Sequence, residues 1–380
     1  MQHKWHNACV MPKSKLGVYV ISLGGVDVIE YVRRALPRVI LSMDHNLETW
    51  RQVKQISPNT FILGRHYLDD GDQVYFDQPE ARATQFFNTM KADAEKMRGV
   101  YDAWMGYNET VIHDVAEARR LSRFYAQWGK LMRDANLKSA AYSFATGNPA
   151  AGFPNPDGGN EPNYWEFLTD GLRACDYLSL HEYSAPLMKS LQGFLCLRYR
   201  HVWNILPPDA RKPIIITETG IDGGVIAGGA MAQKGWTFFT NQDGYLSELQ
   251  WYDNNLLTDD YIVGATIFSL NPWGIQGSFA IDQAEKIRDY IGQGGAPPPL
   301  HPPAQTLEGA VRARAGAVTW MPVNNTAALW KFAKQNGLQD QQSDEIPFSY
   351  NGADYIAQVF NLGVVYVKVG DWGNIKVIPK

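Results

Sequence analysis

Residues 213–220 read PIIITETG, three consecutive isoleucines followed by Thr217, a lone carboxylate at Glu218, Thr219 and a turn glycine. Seven other short runs share this character: 17–22 (GVYVIS), 38–43 (RVILSM), 61–66 (FILGRH), 102–107 (DAWMGY), 138–144 (KSAAYSF), 176–181 (DYLSLH) and 263–269 (VGATIFS). The strand belonging to the quoted stretch is 213–217. Between the runs lie longer segments, notably 80–98, 112–135, 185–206 and 244–256, with apolar residues at spacings of three and four. Short β-branched runs alternating with helical patterns are successive βα units around a parallel sheet, and each parallel pair needs such a crossover. Eight regular units without a dinucleotide-binding glycine fingerprint predict a closed (β/α)8 barrel rather than an open doubly wound sheet.

The chain has 380 residues, which suits a barrel with an appendage. Residues 292–305 (GQGGAPPPLHPPAQ) read as a stiff Pro/Gly-rich linker. The predicted organisation is therefore a catalytic barrel over 1–291, the linker, and a small α+β module over 306–380. In that module, 326–336 has helical spacing, and the alternating stretch from Phe348 predicts three or four antiparallel strands with turns at Asn351-Gly352 and Gly370-Asp371. So small a module is expected to dock on the barrel and bury one or more of Trp320, Trp330 and Trp372.

Composition narrows the function. With 19 % charged residues and a formal net charge of −4, the chain lacks the basic surplus that holds a nucleic-acid backbone. No apolar run is long enough to span a bilayer, so no membrane partner is expected and the chain should be soluble, either cytoplasmic or secreted after signal removal. Cys9, Cys175 and Cys196 lie far apart without metal-binding spacing and are expected as free thiols. Aromatics reach 12 %, with 12 Trp and 19 Tyr, and part of that surplus suits the apolar faces of sugar rings.

In a parallel barrel, the carboxyl ends of the strands share one rim. Strand four ends Tyr107-Asn108-Glu109, and strand seven ends at Thr217-Glu218, so two carboxyls should converge on one pocket. Glycoside hydrolysis needs such a pair, one carboxylic acid to protonate the leaving oxygen and one carboxylate to attack or to activate water.

These residues resemble the clan of retaining (β/α)8-barrel glycosidases whose acid/base follows strand four and whose nucleophile follows strand seven. The likeness spans about residues 17–290 and implies Glu109 as acid/base and Glu218 as nucleophile, with cleavage of β-glycosidic bonds in an oligosaccharide or polysaccharide and neither cofactor nor metal. It further implies that Asn108 binds the sugar 2-hydroxyl, that His181 lines the sugar site, that Tyr183 supports the nucleophile, and that Trp273, in Asn271-Pro272-Trp273, is a sugar platform.

One feature departs from the clan. Many members carry an arginine at the end of strand two, where this chain has Met43-Asp44-His45-Asn46; Arg65-His66-Tyr67 follows one strand later. Either Arg65 and His66 orient the nucleophile, or Arg65 pairs with Asp69 or Asp70. Glu182 reads as a solvated neighbour of the pocket or a sugar-binding group, Trp104 as barrel packing, and the glycine-rich loop 220–235 as a flap. Two rival functions remain: a metal-dependent hydrolase using Asp44, His45, His66, His181 and Glu182, and a carbohydrate-binding barrel without turnover.

Overall fold

The computed structural model describes residues 14–154, 159–227, 229–292, 326–343, 345–350 and 352–379. Eight parallel strands close in chain order. They are β1 (Leu16–Val20), β2 (Val39–Ser42), β3 (Phe61–Arg65), β4 (Ala103–Met105), β5 (Ser139–Phe144), β6 (Tyr177–Ser184), β7 (Ile214–Ile221) and β8 (Ile262–Leu270). Closure is made by β1, which pairs Val18 with Ile40 of β2 on one side and with Ile267 of β8 on the other. The fold is thus a (β/α)8 barrel with helices between its strands.

Side-chain alternation along each strand builds two separate cores. Outward residues such as Val18, Ile40, Ile62, Leu178, Leu180, Ile214 and Ile216 pack with helix residues Trp50, Phe86 and Trp128. Inward residues Tyr19, Leu41, Leu63, Ala103, Met105, Ala140 and Ile215 fill the barrel and lead up to Tyr183 and Phe268. Trp104 is fully buried in the outer core, as barrel packing requires.

Local chemistry sets the helix starts. The side chain of Asp27 caps Val28–Ala35, Asn46 caps Leu47–Ile56 and Asp114 caps Val115–Asp134, each accepting first-turn N–H groups, while Pro79 opens the helix Pro79–Lys96. The predicted helix 185–206 is shorter than its spacing implied, running only from Arg198 to Ile205. Leu191, Gly193 and Leu197 take positive φ (51°, 84° and 66°), so the chain turns repeatedly before it can wind.

Two compact units divide the chain, Met1–Ala296 and Pro297–Lys380. The second holds a four-stranded antiparallel sheet of order β12-β11-β10-β9, formed by Ile346–Tyr350 (β9), Ala353–Phe360 (β10), Gly363–Lys368 (β11) and Lys376–Pro379 (β12), with the helix Ala328–Gln335. Leu329 and Ala333 of that helix pack with Phe360, Val365 and Val367, and Trp330 joins them. Trp372 is exposed. Cys9, Trp320 and the linker beyond Gly292 lie outside the described residues; Cys175 and Cys196 are buried free thiols. No helix among the described residues is long and apolar enough to cross a membrane.

Candidate active site

Glu218 owes its direction to a break in strand register. Ile214 and Ile216 face the outer core and Ile215 the interior, so strict alternation would return residue 218 to the helices. Instead β6 and β7 pair Leu180 with Ile216 and then His181 with Glu218, leaving Thr217 as an extra residue. This β-bulge turns Glu218 inward beside His181. The Thr217 hydroxyl donates to the Leu180 carbonyl at 3.3 Å, and the buried Thr266 hydroxyl donates to the Thr217 carbonyl.

Three side chains then gather on the Glu218 carboxylate. Tyr183 Oη donates to Oε2 at 2.8 Å. Arg65 Nη1 stands 3.4 Å from Oε1 and also donates to Tyr19 Oη at 2.6 Å. His181 Nδ1 lies 3.5 Å from Glu218 Oε2 and 2.9 Å from Glu109 Oε1, bridging the two glutamates. A carboxylate oxygen of Glu109, one of Glu218 and a ring nitrogen of His181 all lie within 4.8 Å of one another. Glu109 reaches this point from the loop after β4, with φ of 53° and its N–H donated to the Ser143 carbonyl at 2.9 Å.

The two carboxyls differ in environment. The Glu218 side chain is 8 % exposed, that of Glu109 42 %. Burial pushes the Glu218 carboxyl above its ordinary range against the pull of His181, and the Glu109 charge pushes the same way. At Glu109 burial also pushes upward, but the hydrogen bond and charge of His181 outweigh it and hold the carboxyl below its ordinary range. His181 itself is raised: burial opposes its charge, yet Glu218 and Glu109 prevail. The two carboxylates thus favour the charged form of the imidazole that stands between them.

The structure brings together Arg65, Glu109, His181, Tyr183 and Glu218. Arg65 turns to Glu218 rather than to Asp69 or Asp70, which bond Tyr67 and Gln73 instead. His66 does not join it; its Nδ1 bonds Asp93 at 3.0 Å. Asn108 is half-buried, its N–H bonded to Gln73 Oε1 and its Oδ1 without a hydrogen-bond partner among the described residues. Trp273 is 46 % exposed and meets Tyr67 edge-on at 5.5 Å.

Glu182 corrects the sequence reading. It is buried rather than solvated, accepting the N–H groups of Leu197 and Tyr199 and the hydroxyl of Tyr252, and burial pushes its carboxyl up to about 7. The five residues of the metal reading accordingly divide among separate surroundings. Loop 220–235 is pinned at its base, where Gly223 N–H bonds the Lys234 carbonyl and Gly235 N–H the Ser278 hydroxyl.

Two residues escaped the sequence reading. Tyr19, one tyrosine in an apolar run, carries the hydroxyl that receives Arg65. Phe268, in β8, packs edge-on against both Tyr19 and Tyr183. An aromatic on the inward face of the last strand was the available signal.

No family model and no curated protein matches this chain. Solved structures with a similar course exist. One is a glycoside hydrolase family 17 β-1,3-glucanosyltransferase from Rhizomucor miehei, at 12 % identity and TM-score 0.42 over 71 % of this chain and 93 % of that one. Another is a glucosidase from Croceicoccus marinus, at 12 % identity and TM-score 0.45 over 94 % and 75 %. A β-glucuronidase from Faecalibacterium prausnitzii shares 11 % identity at TM-score 0.44 over 75 %, this chain spanning 49 % of its length. Similarity at this level says nothing of the chemistry, which rests on the residues themselves.

Proposed function

We propose that the chain is a retaining glycoside hydrolase acting on β-glycosidic bonds, with Glu109 as acid/base and Glu218 as nucleophile. The observation that carries this reading is the approach of the two carboxylates at the barrel mouth, with oxygens within 4.8 Å of each other. Carboxyls this close can both reach one anomeric centre, as an acid and a nucleophile acting on the same sugar must.

In the first step Glu218 bonds the anomeric carbon while Glu109 gives its proton to the departing oxygen. In the second, Glu109 takes a proton from water, whose oxygen displaces Glu218, and two inversions retain configuration. Glu109 must be protonated to begin, and His181, whose Nδ1 lies 2.9 Å from Glu109 Oε1, is the group placed to supply that proton. A glycoside covering the half-exposed Glu109 excludes water from it, strengthens its hold on a proton, and draws that proton from His181. Arg65 and Tyr183 keep Glu218 aimed and charged until its oxygen bonds the sugar. Asn108 offers its unpartnered Oδ1 to a sugar hydroxyl, and Trp273 offers an exposed ring at the rim.

A panel of aryl β-glycosides assayed with and without chelator tests the reading. Turnover should persist in chelator and vanish in Glu218→Ala. Sugar binding by calorimetry without turnover of any member would mark a carbohydrate-binding barrel, and loss on chelation a metal-dependent hydrolase.

A further inference from the structure

A second cluster lies apart from the glutamates' partners. His45 follows β2, His66 follows β3, and Asp93 projects from the helix Pro79–Lys96. One ligand atom from each lies within 4.8 Å of the other two. His66 Nδ1 is 3.0 Å from Asp93 Oδ2, and His45 Nε2 is 3.8 Å from the same oxygen.

Hydrogen bonding fixes which nitrogen of His45 is bare. The Tyr101 hydroxyl donates its only proton to the Asp44 carbonyl at 2.7 Å, so towards His45 Nδ1, 3.3 Å away, its oxygen can only accept. Nδ1 therefore carries the hydrogen and Nε2 presents a lone pair. That lone pair faces a carboxylate oxygen at a distance too long for a hydrogen bond. Two electron-rich atoms turned on each other are an arrangement that a cation between them relieves.

The rings are also held in place. His45 packs against Trp104 and Tyr101, and His66 against Phe86. Side-chain exposures of 12 %, 21 % and 32 % for His45, His66 and Asp93 leave a way in from solvent. A tetrahedral zinc with bonds of about 2.0 to 2.2 Å separates its ligands by roughly 3.3 to 3.6 Å, between the two distances found here.

We propose that His45, His66 and Asp93 bind a late first-row divalent cation such as zinc, with a water completing the fourth position. Binding through His66 Nδ1 releases the proton shared with Asp93 to solvent. The ion ties the helix Pro79–Lys96 to the carboxyl ends of β2 and β3.

The test uses tag-free, chelator-stripped protein carrying Glu218→Gln, which disables the Glu109–His181–Glu218 cluster as a competing site. Zinc chloride is titrated by calorimetry, with cobalt absorption as an independent readout and circular dichroism to confirm folding. One equivalent should bind and raise the melting temperature, and adding either Asp93→Asn or His45→Gln should weaken binding at least about 100-fold. Absence of stoichiometric binding, or full affinity retained in either folded double variant, would overturn the site and leave His66 and Asp93 as an ordinary ion pair.

Discussion

At the scale of single residues, the proposed chemistry depends on His181, whose Nδ1 stands between Glu109 and Glu218. Glu218→Ala should lower kcat by about three orders of magnitude or more, and azide should restore turnover with inverted product, because the small anion attacks where the carboxylate stood. His181→Asn removes the cation that favours the charged form of Glu218. The nucleophile then stays protonated to higher pH, so the acid limb of the kcat/KM profile should move upward; an unmoved limb would separate His181 from the nucleophile. The candidate residues were legible because each stands at or just past the end of a short apolar run, Glu109 beside Asn108 and Glu218 between Thr217 and Thr219. Orientation was not legible. Arg65 and His66 are adjacent, yet alternation sends one to Glu218 and the other to Asp93, and nothing in the pair of letters says which.

At the scale of elements, strand seven holds the feature that directs the site. The sequence places Glu218 after the strand, where either face is open to it. The structure places it inside β7 and turns it by the bulge at Thr217, which arises from pairing with β6 and has no signature in PIIITETG itself. Thr266 clasps that bulge through the Thr217 carbonyl. Thr266→Val keeps the shape and strips the donor, leaving a buried carbonyl unpaired. It should cost about 1 to 3 kcal/mol in denaturant unfolding and lower kcat about tenfold with KM little changed. A variant that loses stability but keeps kcat would show that the bulge holds without this clasp. Strand positions were legible to within a few residues, since apolar runs with β-branched residues are short and bounded. The missing half of the helix expected over 185–206 was not, because two of its three left-handed residues are Leu191 and Leu197, a residue type that carries no turn signal.

At the scale of the whole molecule, two buried carboxyls set the response to pH. Burial pushes Glu182 up to about 7 and Asp253 up to about 6, both above their ordinary values of 4.5 and 3.8. The folded chain thus keeps protons that the unfolded chain has released between about pH 4 and pH 7, so stability falls as pH rises through that window and levels above it. Glu182 alone accounts for up to about 3 kcal/mol of the fall. Urea unfolding at pH 5, 6, 7 and 8 should show the decline, and Glu182→Gln should flatten its slope; stability that rises across the window would contradict the burial argument. Closure of the barrel and a separate sheet-bearing unit were legible from eight repeated βα units and the change of pattern after 291, whereas the internal ledger of buried charge was not, since it depends on which carboxyls the helices cover.

The central claim is double displacement by Glu109 and Glu218, and the configuration of the first product reports on it directly. With an aryl β-glycoside that the enzyme turns over, proton NMR during the first minutes should show the β-anomer of the released sugar accumulating before mutarotation produces the α-anomer. The α-anomer appearing first would mean single displacement by water, and would contradict Glu218 as nucleophile.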